Sequence, residues 1–120
     1  HTVRYQDGKL MKDPRPRETS YAVYDPKTDA WSDWKMLDMG DDGTYFSAGS
    51  GCAQRVNEPD GTILTPIYFK ERSTDSRAVM SAQVLRCAFD GKTLSVVEKG
   101  NAMKGPEPRG LGLLPRAAER

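Results

Sequence analysis

Three short stretches carry residue types that could do chemistry. In "DPRPRETS", Arg15 and Arg17 flank Pro16 in a stiff loop just ahead of a strand. A guanidinium stays charged and presents a planar fork of donors, which suits a carboxylate. In "GSGCAQRV", Gln54 and Arg55 follow a glycine-rich entry where backbone can approach a ligand closely. Strand alternation puts Cys52 and Gln54 on one face and Ala53 and Arg55 on the other. Only one of Gln54 and Arg55 therefore reaches a shared pocket, and Gln54, aligned with Cys52, is the preferred one. In "TPIYF", Tyr68 ends an apolar strand with a ring and a hydroxyl. Each stretch also has a plainer reading: a solvated basic loop, an ordinary sheet hydrogen bond, a core tyrosine.

Other chemistries find little here. His1 is the only histidine and is terminal, which argues against a Ser-His-Asp triad or a histidine metal site. Asp38, Asp41 and Asp42 could offer oxygens to Ca²⁺, but lack EF-hand spacing and read as a solvated turn. No phosphate-binding loop or GxGxxG motif occurs, so no cofactor or metal is expected. The two cysteines, Cys52 and Cys87, read as buried thiols, with a single disulfide open if the protein is secreted. Basic and acidic residues number 18 and 17, so no net field draws the chain to nucleic acid or anionic membrane. No apolar run approaches the roughly 20 residues of a membrane helix. "KERSTDSR", from Lys70 to Arg77, is a mixed-charge loop that is solvated or rims a site.

The elements that must position these residues read as β throughout. Asp-Gly occurs at Asp7-Gly8, Asp42-Gly43, Asp60-Gly61 and Asp90-Gly91. Between β-prone runs such a pair is a strong hairpin signal, because the turn needs positive φ. Thr2 to Gln6 should turn into Lys9 to Met11, Gln54 to Asn57 into Thr62 to Phe69, and Val84 to Phe89 into Thr93 to Glu98. "SYAVYDPKTDAWSDWKML" predicts a fourth hairpin, turning at Asp25-Pro26-Lys27-Thr28. Its Trp31 and Trp34 read as packing between sheets in preference to stacking on a sugar. No helical periodicity stands out.

In Ile63 to Phe69 one face carries Ile63, Thr65, Ile67 and Phe69, and the other Leu64, Pro66 and Tyr68. Both are largely apolar, so the sheet should be covered on both sides. Pro66 cannot donate to a ladder and is expected at an edge or a bulge. The units turning at Asp25 and Asp90 resemble each other, at a length suited to propeller blades of about 40 to 50 residues. The expected fold is all-β, with two to three propeller blades in residues 1–101 and an irregular tail in 102–120. At 120 residues such a chain cannot close a ring of typically 4 to 8 blades. Its start at His1 is read as a processed chain or a fragment. A small independent β-sandwich is the third architecture considered.

The stretch from about His1 to Asn101 resembles the sialidase (neuraminidase) superfamily, particularly bacterial exo-alpha-sialidase-like proteins. "RPRETSYAVYDPKTDAWSDWKML" looks like its blade hairpin, in which a turn is followed by Trp. "GSGCAQRVNEPDGTILTPIYF" is similar to its glycine-rich entry, strand, Asp-Gly turn and strand ending in Pro-x-Tyr, and "VLRCAFDGKTLSVVEKGN" fits the next hairpin. The resemblance implies a six-bladed type of propeller. It implies an exo-glycoside hydrolase acting on sialic acid or related acidic sugars, with this fragment itself inactive. Three arginines from different blades would hold the sugar carboxylate, a Glu-activated Tyr would be the nucleophile and an Asp the acid/base. The Tyr and Glu would lie beyond the C-terminal end. The substrate-binding candidates are then Arg15, Arg17, Gln54, Arg55 and Tyr68. The implied partners are a glycan and the remaining blades, and a secreted or periplasmic location is favoured. The alternative is a non-catalytic propeller that binds glycans or proteins, since one architecture serves many functions.

Overall fold

The structure, a computed structural model, describes residues 5–10, 16–40, 43–50, 54–73 and 79–104. Among these residues it is all β, built from antiparallel sheets with no helix and no closed propeller ring. Tyr5–Gln6 (β1) and Lys9–Leu10 (β2) form the first hairpin. Asp7 and Gly8 turn it with φ of 51° and 72°, the two positive values that a two-residue type I′ turn requires. Residues 1–4 and 11–15, including the rest of both expected strands, lie outside the described residues.

Ser20–Tyr21 (β3), Tyr24–Asp25 (β4), Ala30–Trp31 (β5) and Lys35–Met36 (β6) make one irregular hairpin, as the sequence predicts. β4 pairs with β5 and β3 with β6. Between the two pairings Ala22 and Val23 face Ser32, Asp33 and Trp34, so the return strand holds an extra residue. The Val23 carbonyl accepts from the Ser32 amide at 2.7 Å, and the Val23 amide donates to the Ser32 hydroxyl at 2.8 Å. Such a bulge shifts the side-chain alternation by one position.

The main sheet contains Ser47–Gly49 (β7), Val56–Asn57 (β8), Ile63–Lys70 (β9), Ser81–Phe89 (β10), Leu94–Lys99 (β11) and Met103–Lys104 (β12). β9 and β10 lie at its centre. β7 and β8 pair with the outer side of β9, and β11 and β12 with the outer side of β10. In effect it is a four-strand meander whose two outer strands are interrupted. Its last strand in chain order is Met103–Lys104.

The core lies on the odd-numbered face of β9 and β10. Ile67, Leu85 and Cys87 are fully buried there with Phe69, and Leu37, Met39 and Ala48 close over them. Burying a Leu or Ile side chain stabilises by about 1.5–3 kcal/mol, so this cluster is the main source of stability. Polar groups at its border are satisfied. The Tyr45 hydroxyl donates to buried Gln83 Oε1 at 2.7 Å, and Gln83 Nε2 donates to the Gly100 carbonyl at 2.6 Å. The Leu94 amide donates to the Tyr21 hydroxyl at 3.0 Å, tying the hairpin to the sheet. Leu64, Pro66 and Ala82 are buried outside this cluster, on the even-numbered face. Both faces of β9 are thus covered, as its composition predicts.

Pro66 does not sit on an edge. It is buried in a central strand opposite Val84. The Val84 carbonyl accepts from the Gly100 amide at 2.9 Å, so it points away from β9. Pro66 and Val84 are therefore a non-hydrogen-bonded pair, and the position where Pro66 lacks an N–H faces the other way. On that side β7 reaches Tyr68 and β8 reaches Leu64. No ladder partner faces Thr65–Ile67 there among the described residues. Among the described residues the proline therefore has no ladder partner on that side, which meets the same physical requirement as an edge.

Candidate functional site

Two of the expected site residues meet. Residues 16–19 run beside β7, with the Arg17 amide donating to the Phe46 carbonyl at 3.1 Å and the Ala48 amide donating to the Arg17 carbonyl at 2.8 Å. This fixes the Arg17 backbone. Its guanidinium then reaches Tyr68, donating through Nη1 to the hydroxyl at 2.7 Å. The guanidinium carbon lies 5.8 Å from the ring centroid. Both side chains are half-buried. Gly49, opposite Tyr68, leaves the room: a Cβ there would stand 3.2 Å from the Tyr68 hydroxyl and 3.5 Å from Arg17 Cδ. Beside them the Arg72 guanidinium lies 5.2 Å over the Phe46 ring.

The hairpin and the odd-numbered face of the sheet enclose a cleft of about 300 Å³. Trp31 and Trp34 form one wall, Ile63, Thr65 and Leu94 the sheet side, and Arg55 the rim. Ser20, Ser50 and Thr19 add hydroxyls to the lining. Thr19 Oγ1 is buried without a hydrogen-bond partner, which costs about 1–3 kcal/mol. Both tryptophans line this cleft although three positions apart. A regular strand would put them on opposite faces, and the extra residue in the return strand puts them on one. They stay outside the core cluster of this chain: Trp31 is 70% and Trp34 72% exposed. Trp31 is braced by Tyr24, with ring centroids 5.1 Å apart, and the Tyr24 hydroxyl donates to Asp29 Oδ1 at 2.6 Å. That bond to Asp29, aided by slight burial, raises the Tyr24 pKa above the usual phenol value.

The five sequence candidates therefore separate. Arg17 and Tyr68 meet on the even-numbered face of β9, while Arg55 borders the cleft on the odd-numbered face. Gln54, preferred over Arg55 in the sequence reading, is exposed and does not line the cleft. Gln54 and Arg55 themselves lie in no strand, so strand alternation does not place them. Arg15 and Cys52 lie outside the described residues. Cys87 is buried and carries no disulfide, and its thiol pKa is raised by burial. Asp38 caps a turn, accepting from the Gly40 amide at 2.9 Å. Among the described residues no three potential ligands converge on a metal position. The cleft residues missed by sequence had one available signal, the "WSDW" pair on a short return strand.

Comparison with protein families, with characterised proteins and with solved structures finds no match to this chain.

Proposed function

We propose that this chain supplies two to three consecutive blades of a sialidase-like β-propeller, and that the protein containing it is an exo-acting glycoside hydrolase of sialic acid or related acidic sugars. The observation that carries this reading is one aspartate contact used twice. Asp25-Pro26-Lys27-Thr28 and Asp90-Gly91-Lys92-Thr93 both lie between antiparallel strands, and in both the aspartate Oδ1 accepts the lysine amide, at 2.9 and 2.8 Å. Such a contact recurring in two hairpins of similar sequence is what a blade repeat would produce. The meander of the main sheet has a blade's four antiparallel strands. The preceding hairpins would belong to the blade before it.

Within this reading Arg17 is an anchor for the sugar carboxylate, its planar fork suited to bidentate contact. Tyr68 is a positioning residue, holding the guanidinium through its hydroxyl. Arg15, two residues before Arg17, stands as a second anchor. Sialidases depart from the two-carboxylate scheme of most glycosidases, so the nucleophile and acid/base would come from other blades.

The test is release of the fluorophore from an aryl sialoside by the full-length protein. Turnover is expected there, reduced at least tenfold by Arg17→Ala, with none from the 120-residue chain alone. No turnover of sialosides or other acidic glycosides by the full-length protein, with binding retained, would select the non-catalytic glycan-binding propeller instead.

A further inference from the structure

We propose that the cleft bordered by Trp31, Trp34 and Arg55 is a binding site for one anionic pyranose residue, separate from the Arg17–Tyr68 face. The sugar ring lies against the two indoles and its anionic substituent on Arg55. This does not depend on the hydrolase reading, because it needs binding and no bond cleavage.

Three observations carry it. First, two tryptophans at 70% and 72% exposure on one short strand are not serving the core. Large exposed apolar groups rimmed by polar ones mark ligand grooves, and an indole offers a flat face to the C–H side of a sugar. Second, Trp31 is held in place before any ligand arrives, by the Tyr24 ring at 5.1 Å and the Tyr24–Asp29 hydrogen bond at 2.6 Å. A platform already ordered loses less entropy on binding. Third, among the described residues that line the cleft, Arg55 is the one charged residue. The cleft therefore favours an anion. Its hydroxyls, from Ser20, Ser50 and Thr65, match the polar edge of a sugar.

Size narrows the ligand. A cleft of about 300 Å³ is at the lower end for small-molecule sites, roughly 300–1,000 Å³. It takes a single terminal residue and not a buried stretch of polymer. Among the described residues the lining offers no carboxylate, so the proposal is one of binding and not of bond cleavage.

The experiment takes the 120-residue chain if it shows a cooperative thermal transition as a monodisperse monomer, and the full-length protein if it does not, and titrates it with methyl glycosides of a carboxylated, a sulfated and a neutral sugar, reading tryptophan fluorescence. Saturable quenching is expected with the carboxylated or the sulfated sugar, whichever anion the site takes, and at least tenfold weaker response to the neutral one. Arg55→Gln should weaken the anionic ligand at least tenfold and leave the neutral one unchanged. Trp31→Ala and Trp34→Ala should weaken both. Lys104→Gln, which removes the same charge elsewhere, should change nothing. No saturable response to either anionic sugar overturns the proposal. So does equal binding of the neutral sugar, or an Arg55→Gln variant no weaker than Lys104→Gln. All four substituted residues are exposed, so folding should survive each change.

Discussion

The hairpins turning at Asp25 and Asp90 share a turn and little else. Around Asp90 the strands β10 and β11 sink into the molecule: Leu85 and Cys87 are fully buried, and Leu94 and Val96 are half-buried. Around Asp25 the corresponding return strand lifts Trp31 and Trp34 into solvent. The difference is in the neighbours. β10 has a partner along both sides, β9 and β11, and the hairpin covers its core face. Each strand of the Asp25 hairpin has one strand partner among the described residues; Leu37, at its end, enters the core cluster and Tyr21 packs against it. Turn chemistry is local, whereas burial is set by what packs against the strand. One copy of the repeat therefore maintains the fold while the other is free to meet a ligand.

Truncating the buried copy would separate the two hairpins most sharply. Leu85→Ala should cost about 2–5 kcal/mol and lower the melting temperature by many degrees, because Leu85 is fully enclosed. Trp31→Ala should stay within about 1 kcal/mol of the parent, as expected away from core packing. Equal losses in thermal or urea unfolding would erase the distinction.

The turns themselves allow a finer test. Asp90 Oδ1 accepts two amides, from Lys92 at 2.8 Å and Thr93 at 2.7 Å, where Asp25 Oδ1 accepts that of Lys27 at 2.9 Å. Asp90→Ala should destabilise more than Asp25→Ala, measured by urea midpoint at constant slope. The reverse order would mean that the Asp25 turn, and not the Asp90 turn, organises the fold.

The smallest effect is expected from acid. Hydrogen bonds from Thr93 and Lys92 hold the Asp90 carboxyl below the usual range, and those from Thr62 do the same for Asp60. A carboxyl with a lowered folded pKa adds stability that is present above its unfolded value, near 3.9, and is lost as pH falls through the folded one. Stability should thus decline below about pH 4, and Asp90→Ala should show a shallower decline than Asp25→Ala. A decline of identical slope in both variants would detach the acid sensitivity from the Asp90 turn.

Much of the fold was legible. Asp60-Gly61 and Asp90-Gly91 announced their hairpins, since few dipeptides besides Asp-Gly satisfy a tight turn so readily. The two apolar faces of Ile63–Phe69 announced a strand covered on both sides. The candidate site was legible only in pieces. Arg17 and Tyr68 were each suspected, but their meeting depends on residues 16–19 pairing with β7, a contact between segments that local pattern does not encode. Arg55 ranked below Gln54 by strand alternation, whereas neither residue lies in a strand. Trp31 and Trp34 were read as packing between sheets, and a one-residue bulge with no sequence signature puts both on the cleft.

The sequence by itself determined the all-β character, the turn positions and which strand would be most deeply buried, because each follows from local dihedral preference and the apolar pattern. The tertiary structure decided where Pro66 could stand, that Arg17 and Tyr68 share one face while Arg55 serves the other, and that two tryptophans line one cleft. Those outcomes depend on which strands pair and where their ladders break. Pairing is a long-range choice, settled by burial across the whole sheet.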